Sequence, residues 1–209
     1  LIRRNPFEDY EISMKENDRS YLLKEHVETL LFHTPTKERY ELVKDLFIFS
    51  CFTGLSYIDI KKLKNSNIQS FFDGHEWIIS RRQKSDVASN VRLMEIPKRL
   101  IEKYAGITRN NFIFPVPTNK ICNSYIDKLI QEVKIITEQK VTFHTARHTF
   151  GTMFLTEGVP LESLSKMMGH KNISTTQIYA KITSQKISKD MDLVAPKFQA
   201  MEEAFLAAI

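Results

Sequence analysis

The stretch FHTARHTFGTMFLTEGVPLESLSKMMGHKNISTTQIY, residues 143–179, carries the strongest signal in this chain. It places His144 and Arg147 three residues apart, His170 directly after a glycine, and Tyr179 nine residues after His170. Arginine presents a planar fork of donors to phosphate oxygens, and histidine exchanges a proton near neutral pH. A tyrosine hydroxyl beside such groups can act as a nucleophile. Together these side chains can hold a phosphate and attack it without a metal.

Each of these residues also has an ordinary structural interpretation. His144 and Arg147 can cap a helix and form a surface ion pair, and His170 can bond to carbonyls at a helix end. A tyrosine at helical spacing is usually a core or interface residue, and a phenol with a pKa near 10 reacts only beside cations. The occurrence of all four residues together, in this order, favours the catalytic interpretation over the structural one. His144 and His148, four residues apart, lack a Glu or Cys companion, so we expect no metal and no cofactor.

The stretch resembles the C-terminal half of a tyrosine recombinase (phage-integrase-type) catalytic domain. The signature of that family is His-x-x-Arg, then Gly-His, then a nucleophilic tyrosine about nine residues later, and the resemblance covers roughly residues 21–185. It implies that Tyr179 attacks a DNA phosphodiester, that Arg147 and His170 stabilise the phosphate, and that His144 assists as a base.

Lys84 is a further candidate because of its place in a predicted hairpin. It lies in a turn, Lys84-Ser85-Asp86, between two predicted strands. A lysine in a turn is ordinarily solvated surface. In the resembling family a hairpin lysine at this place protonates the departing 5′ oxygen, and general-acid help of this kind contributes ~10²–10⁴-fold.

The sequence departs from the family pattern at one catalytic position. Residues 53–59, TGLSYID, resemble the family's Thr-Gly-Leu-Arg-x-x-Glu/Asp box, with Ser56 where the first catalytic arginine is expected. Asp59 matches the acidic position, which orients neighbouring side chains. Similar replacements of arginine by serine occur among integrases of Bacteroidetes mobile elements, and the sequence around Ser56 resembles those proteins.

A serine supplies no positive charge, so either another cation substitutes or activity is lost. Lys44, on the helix before the box, could aim at the site across a glycine turn. Arg81 and Arg82 lie on the second predicted strand, where Arg82 shares strand parity with Lys84. We slightly prefer Lys44.

The rest of the chain predicts a mainly α fold with a small three-stranded antiparallel β meander (α+β). The predicted strands are residues 68–72, 76–83 and 90–96, with Asp73-Gly74 as a hairpin turn. The predicted helices are residues 21–33, a longer one ending near 52, 56–63, 98–104, 123–137, 147–156, 160–168, a short one capped by Ser174 that carries Tyr179, and 200–209.

Length and charge set the frame for these expectations. A length of 209 residues predicts one domain, or one domain plus a short extension. We expect residues 1–20 to be a linker or arm from an N-terminal DNA-binding domain, or else a disordered terminus, and residues 21–209 to be the catalytic domain with its tail helix. The net charge of +5 is compatible with a polyanionic partner. No apolar run approaches a membrane span, and Cys51 and Cys122 are expected to be reduced and buried.

The resemblance implies a site-specific DNA recombinase, an integrase of a mobile element, that works through a 3′-phosphotyrosyl intermediate without metal or ATP. Its implied partners are double-stranded DNA at a specific site, further copies of the chain in a homo-tetramer, and accessory DNA-bending proteins. The tail after Tyr179 would pack on a neighbouring protomer or fold back on its own chain. The expected location is the bacterial cytoplasm, at the nucleoid. Two alternatives stay open: a type IB topoisomerase, and a DNA-binding remnant that has lost cleavage because of Ser56.

Overall fold

The computed structural model of the chain describes residues 20–108, 110–179 and 184–208. The helices in this part are α1 (Lys24–Phe32), α2 (Glu38–Thr53), α3 (Tyr57–Lys61), α4 (Glu95–Lys103), α5 (Asn119–Glu132), α6 (Phe143–Thr156), α7 (Leu161–Met167), α8 (Ser174–Gln177) and α9 (Ser184–Ala208). The strands are β1 (Ile68–Ser70), β2 (Glu76–Arg81) and β3 (Ala88–Arg92), and they form an antiparallel sheet in that order. The predicted fold class, mainly α with a small three-stranded meander, is confirmed.

Helix α2 lies at the centre of the fold. Residues 43–51 are all buried, and the helix packs against α1, α4, α5 and α6. A helix that is covered on every side needs partners for its polar side chains. The buried Asp45 carboxylate accepts hydrogen bonds from Lys103 Nζ at 2.6 Å and from Tyr104 Oη at 2.8 Å. Gly54 caps helix α2 in the left-handed conformation that glycine favours at helix C-termini, with φ of 68°.

The β2–β3 hairpin of the sheet packs against the end of helix α7. Ile78 and Val91 pair across the two strands and are completely buried. Residues 82–87 form the connecting turn, closed by a bond of 2.8 Å from Arg82 N to Val87 O. Ser89 Oγ donates to Met167 O at 2.6 Å, so the strand is fixed to the last turn of α7. The turn is thereby held beside the segment that carries His170.

Strand and helix boundaries around the sheet differ from the predicted ones. Strand β3 ends at Arg92 and helix α4 begins at Glu95, so Pro97 lies inside the first turn of the helix. Proline is tolerated there because the first N–H groups of a helix have no partner within it. The prediction that the third strand runs to residue 96 was wrong for this reason. Strand β1 stops at Ser70 because Phe71 N already closes the turn by donating to His75 O at 3.0 Å.

The C-terminal part contains two further differences. Helix α8 spans a single turn and ends at Gln177, so Tyr179 follows the helix and is not part of it. Helix α9 is far longer than the predicted tail helix and continues through Pro196. Its apolar side chains are exposed, namely Ile187, Met191, Leu193, Phe198, Met201, Phe205 and Leu206. Among the described residues, no helix combines the length and apolar character that crossing a bilayer requires.

Candidate active site

Helix α6 begins where the sequence signature begins. The predicted start at residue 147 is wrong by one turn, because the Thr142 and Thr145 side chains form a capping box around the first residues. His144 and Arg147 therefore lie on the first turn of the helix. His144 is exposed, whereas the Arg147 side chain is among the most deeply buried in the protein.

Arg147 ties together the ends of two other helices. One guanidinium nitrogen donates to Gly54 O, at the end of α2, and the other donates to Met168 O, at the end of α7. Carbonyl groups at helix C-termini lack partners within the helix and carry partial negative charge. Burial and the nearby Arg82 lower the pKa of Arg147 to about 10, so the side chain stays charged at neutral pH.

His170 lies just after helix α7, behind Gly169, which has φ of 60°. Its Nδ1 lies 2.7 Å from the hydroxyl of Thr176, on helix α8. Burial lowers the pKa of His170 to about 4, with further contributions from Arg147 and Arg82. The imidazole is therefore neutral at physiological pH. If Thr176 donates to Nδ1, the ring proton is on Nε2 and can be donated to a ligand.

Tyr179 is packed between helix α6 and His170. Only 8% of the residue is exposed. Its ring is nearly parallel to that of His170, with centroids 6.5 Å apart and 11° between the planes. The ring of His148, on α6, lies 5.5 Å away. Tyr179 belongs to a small buried apolar cluster with Phe150, Leu164 and Met168. This packing fixes the ring against the helix that supplies Arg147.

Arg82 is the first residue after strand β2. Its Nε is buried and has no hydrogen-bond partner within the described part of the chain. The charge of Arg82 depresses the pKa of both Arg147 and His170, and the three residues line the same cleft. A buried donor without a partner is uncommon in proteins and calls for an explanation such as a missing ligand.

Ser56 and Asp59 connect helix α3 to the same hairpin. Ser56 Oγ donates to Asp59 Oδ2 at 2.6 Å. The other carboxylate oxygen, Oδ1, accepts a bond of 3.0 Å from the backbone N–H of Gln83. Asp59 thus holds the backbone of the residue next to Arg82. Helix α3, which follows Ser56, is therefore in contact with the end of strand β2 that is followed by Arg82.

Lys84 lies in the turn of the hairpin, and the turn is fastened on both sides. Ser85 Oγ donates to Gly169 O at 3.1 Å, next to His170. Arg81 and Asp86 form an exposed ion pair of 2.9 Å across the turn. These contacts hold the turn over the segment that carries His170.

A single open cleft of about 960 Å³ brings these side chains together. All five residues predicted to be catalytic line it: His144, Arg147, His170, Tyr179 and Lys84. Arg82 lines it as well. Sequence reasoning missed Lys140 and Lys171, which also border the cleft. The signal for both was their place in the sequence, since Lys140 comes shortly before His144 and Lys171 directly follows His170.

Lys44, the preferred substitute cation, does not line this cleft. Its buried ammonium lies at the end of α1, where it donates to His33 O at 2.8 Å and lies 3.8 Å from Glu41. Among the described residues, no group of histidine, cysteine and acidic side chains is arranged to hold a metal ion.

Comparison with known proteins gives a consistent result. The sequence profile of the phage integrase family matches residues 20–186, well over half of the chain. Tyrosine recombinase XerC of Pelotomaculum thermopropionicum is 38% identical over 64 residues, which are 31% of this chain and 20% of that protein. A resolvase of Escherichia coli is 30% identical over 109 residues, 51% of this chain and 40% of that protein. The matched segments thus span less than half the length of these relatives.

Two solved structures share the fold. The crystal structure of XerA recombinase superposes with a TM-score of 0.66 at 22% identity, over 83% of this chain and 64% of that one. The Tn1549 transposon integrase, solved in complex with transposon right end DNA, gives a TM-score of 0.69 at 19% identity, over 93% of this chain and 73% of that one.

Proposed function

We propose that this chain, which belongs to the phage integrase family, is the catalytic domain of a site-specific DNA recombinase. The observation that carries the proposal is the shared cleft of Tyr179, Arg147, His144, His170 and Lys84. Their residue types supply a nucleophile, two phosphate-binding groups, a base and an acid, which is a complete set for phosphoryl transfer without a metal.

The reaction starts with a phosphodiester seated between Arg147 and His170. Tyr179 Oη attacks the phosphorus, its proton passes to His144, and the P–O5′ bond breaks. Lys84 gives a proton to the leaving 5′ oxygen, so the products are a 3′-phosphotyrosyl bond and a free 5′-hydroxyl. A 5′-hydroxyl of the partner duplex then attacks the phosphotyrosine, which reverses the proton transfers and exchanges the strands. The covalent bond keeps the energy of the broken one, so the steps need no ATP.

The rigidity of Arg147 supports its role in this reaction. Two backbone carbonyls hold the guanidinium, and an arginine has five N–H donors, so further donors remain for phosphate oxygens. A donor that is fixed before the reaction stabilises the charge of the pentacoordinate phosphate without reorganisation. Neutral His170 adds a hydrogen bond from Nε2.

Arg82 supplies the cation that Ser56 lacks. Its buried, unpartnered Nε and its closeness to Arg147 and His170 are the features expected of a side chain that awaits an anion. Lys44, the substitute favoured from the sequence, does not fill this role, because its ammonium is bonded to the carbonyl of His33 outside the cleft. With Arg82 in the cleft, the loss of the arginine at position 56 no longer favours a binding-only remnant.

The partners follow from the same chemistry. Double-stranded DNA is the substrate, held by Lys140 and Lys171 at the borders of the cleft, with an affinity that falls with salt. Helix α9 presents an unusually apolar exposed surface for a monomer and serves as a contact between protomers in a tetramer on DNA. The setting is the nucleoid of a bacterium that carries the mobile element, and accessory proteins bend the DNA.

A covalent-capture experiment tests the proposal. The protein is incubated with a pool of nicked duplexes whose arms are randomised, and the products are separated under denaturing conditions. We expect an adduct with the wild type and none with Tyr179→Phe, and sequencing of the captured DNA defines the site. Salt-sensitive binding by both proteins without any adduct would favour the remnant. Relaxation of supercoiled plasmid without exchange products would favour the topoisomerase.

A further inference from the structure

Gly151 lies in the middle of helix α6, directly beneath the ring of Tyr179. A β-carbon on Gly151 would lie 2.8 Å from Tyr179 Cδ1 and Cγ and 2.9 Å from Cδ2. Carbon atoms in contact are normally about 3.5–4.0 Å apart. Nearly equal distances to three adjacent ring carbons place this β-carbon over the face of the ring, so a rotation within the ring plane would not relieve the overlap. The whole ring would have to move.

The helix gives no other reason for glycine at this position. Gly151 has no positive φ, unlike Gly54, Gly74 and Gly169. Glycine in a helix interior is disfavoured relative to alanine, because it loses more backbone entropy on folding. Gly54 also lies close to a ring, that of Phe150, but its left-handed backbone by itself requires glycine. At Gly151 the close approach of Tyr179 is the remaining explanation.

We propose that Gly151 is a positioning residue for Tyr179, and that its missing side chain forms the seat that sets the depth of the ring. The seat lies one helical turn beyond Arg147, so it fixes the distance between the tyrosine hydroxyl and the group that binds the phosphate. The ring of His170 lies nearly parallel to that of Tyr179, with 11° between the planes. An added methyl group at position 151 pushes the ring away from helix α6 and moves the hydroxyl off line. The role in catalysis rests on the proposed function, whereas the seat itself does not.

A double-mutant cycle on the thermal midpoint tests the seat without DNA. Gly151→Ala is made in the wild type and in Tyr179→Ala, where the ring is absent. We expect the substitution to raise the midpoint in Tyr179→Ala, since alanine favours the helix, and to lower it or leave it unchanged in the wild type. Thr152→Ala, the adjacent position, serves as the control and should shift both backgrounds equally. An equal shift for Gly151→Ala in the two backgrounds would overturn the proposal.

A spectroscopic measurement reports on the ring itself. The protein is labelled with 3-fluorotyrosine, and the Tyr179 resonance is assigned by its loss in Tyr179→Phe. Gly151→Ala should shift this ¹⁹F resonance, while Thr152→Ala leaves it in place. A resonance that stays unmoved in Gly151→Ala would show that the ring is not seated on the glycine.

The consequence for the reaction is measured on nicked DNA. We expect Gly151→Ala to form the adduct roughly 10- to 100-fold more slowly, the loss that a small misplacement of a reacting group produces, with a Kd for DNA within about twofold of the wild type. A wild-type rate of adduct formation in Gly151→Ala would refute the positioning role. If the wild type itself forms no adduct but the cycle and the resonance behave as expected, the seat stands and the proposed function fails.

Discussion

Two arginines reach the cleft from different elements of the fold, and they are held in very different ways. The helical side consists of α6 and the segment 168–179, and the hairpin side consists of α3 and residues 82–87. Arg147, on the helical side, is 2% exposed and bonded to two helix ends. Arg82, on the hairpin side, has a buried Nε with no partner among the described residues.

This difference indicates that Arg147 contributes to the stability of the fold, whereas Arg82 does not. Arg147 satisfies carbonyl groups that would otherwise be buried without donors, so the fold depends on it. Arg82 adds a second positive charge to the same cleft, and its buried Nε donates no hydrogen bond to the described residues. A like-charge neighbour and an unsatisfied donor both disfavour the unliganded state. We infer that Arg147 supports both the fold and the reaction, and that Arg82 serves the reaction alone.

Replacing Arg147 should have the largest effect. In Arg147→Ala the Gly54 and Met168 carbonyls lose their donor, at about 1–3 kcal/mol each, and the phosphate loses its main ligand. We expect the thermal midpoint to fall and the rate of adduct formation to drop by about 10³-fold or more. Differential scanning calorimetry and the denaturing gel check the two parts separately.

The matched variant for this prediction is Arg147→Lys. It keeps the charge but cannot reach two helix ends at once, so it should recover binding to DNA in part and stability hardly at all. Full stability in Arg147→Ala would contradict the structural half of the comparison.

Lys84 should affect the reaction without affecting the fold. We expect Lys84→Ala to slow cleavage by about 10²–10⁴-fold, because the 5′ oxygen leaves poorly without a proton. A substrate with sulfur in place of the bridging 5′ oxygen has a leaving group that needs no proton. On that substrate Lys84→Ala should approach the wild-type rate, while Tyr179→Phe stays inactive. If sulfur gives no rescue, Lys84 binds DNA and is not the acid.

Arg82 gives the sharpest test of the difference between the two sides. We expect Arg82→Gln to slow adduct formation by about 10²–10³-fold with the thermal midpoint unchanged or raised. Arg92→Gln, which removes a charge from β3 outside the cleft, should slow it by no more than about twofold. A thermal midpoint that falls as far as in Arg147→Ala would show that Arg82 supports the fold after all.

Lys44 and Ser56 complete that test. Lys44→Met should lower the midpoint, through the lost bond to His33 O, and leave the rate of adduct formation unchanged. Adding Ser56→Arg to Arg82→Gln returns a guanidinium to the cleft from helix α3 and should restore part of the rate. A slow reaction in Lys44→Met with normal DNA affinity would reopen the case for that lysine.

The sequence was sufficient for the part of the cleft that is local in the chain. His144 and Arg147 share one helix turn, and His170 and Tyr179 follow within the same stretch, so their order alone identified them. The sheet was also predictable, because alternating residues and the Asp73-Gly74 turn are local signals. The boundary between strand β3 and helix α4 was harder to predict, because a proline such as Pro97 can follow a strand or lie in the first turn of a helix.

Contacts between distant segments were beyond the sequence. Whether Lys44 or Arg82 faces the cleft depends on how α2 is rotated in the core and on the hydrogen bond between Asp59 and the hairpin. Strand parity with Lys84 suggested Arg82 but could not decide against Lys44. The seat at Gly151 likewise depends on where Tyr179 packs, 28 positions later. A glycine inside a helical pattern was the available signal.

The smallest effect concerns the pKa of His170, and it links the two sides without any DNA. Burial lowers this pKa to about 4, and Arg147 and Arg82 contribute to the shift. In the unfolded chain the pKa is near 6.5, so between about pH 6.5 and 4 the unfolded state binds the proton and the native state does not. The stability from this residue is therefore complete above about pH 6.5 and is lost as the pH falls toward 4. His170→Asn should flatten the fall of the thermal midpoint in this window.

Arg82→Gln should raise the pKa of His170 only part of the way toward its ordinary value, because burial remains the larger cause. An NMR titration of the imidazole measures the shift, and Arg92→Gln provides the control with one charge fewer and no change in the cleft. A pKa that does not move in Arg82→Gln would place the Arg82 guanidinium away from His170. The hairpin side would then lack a cation near the phosphate, and the slow reaction of the Arg82 variant would need another cause, such as a displaced Lys84.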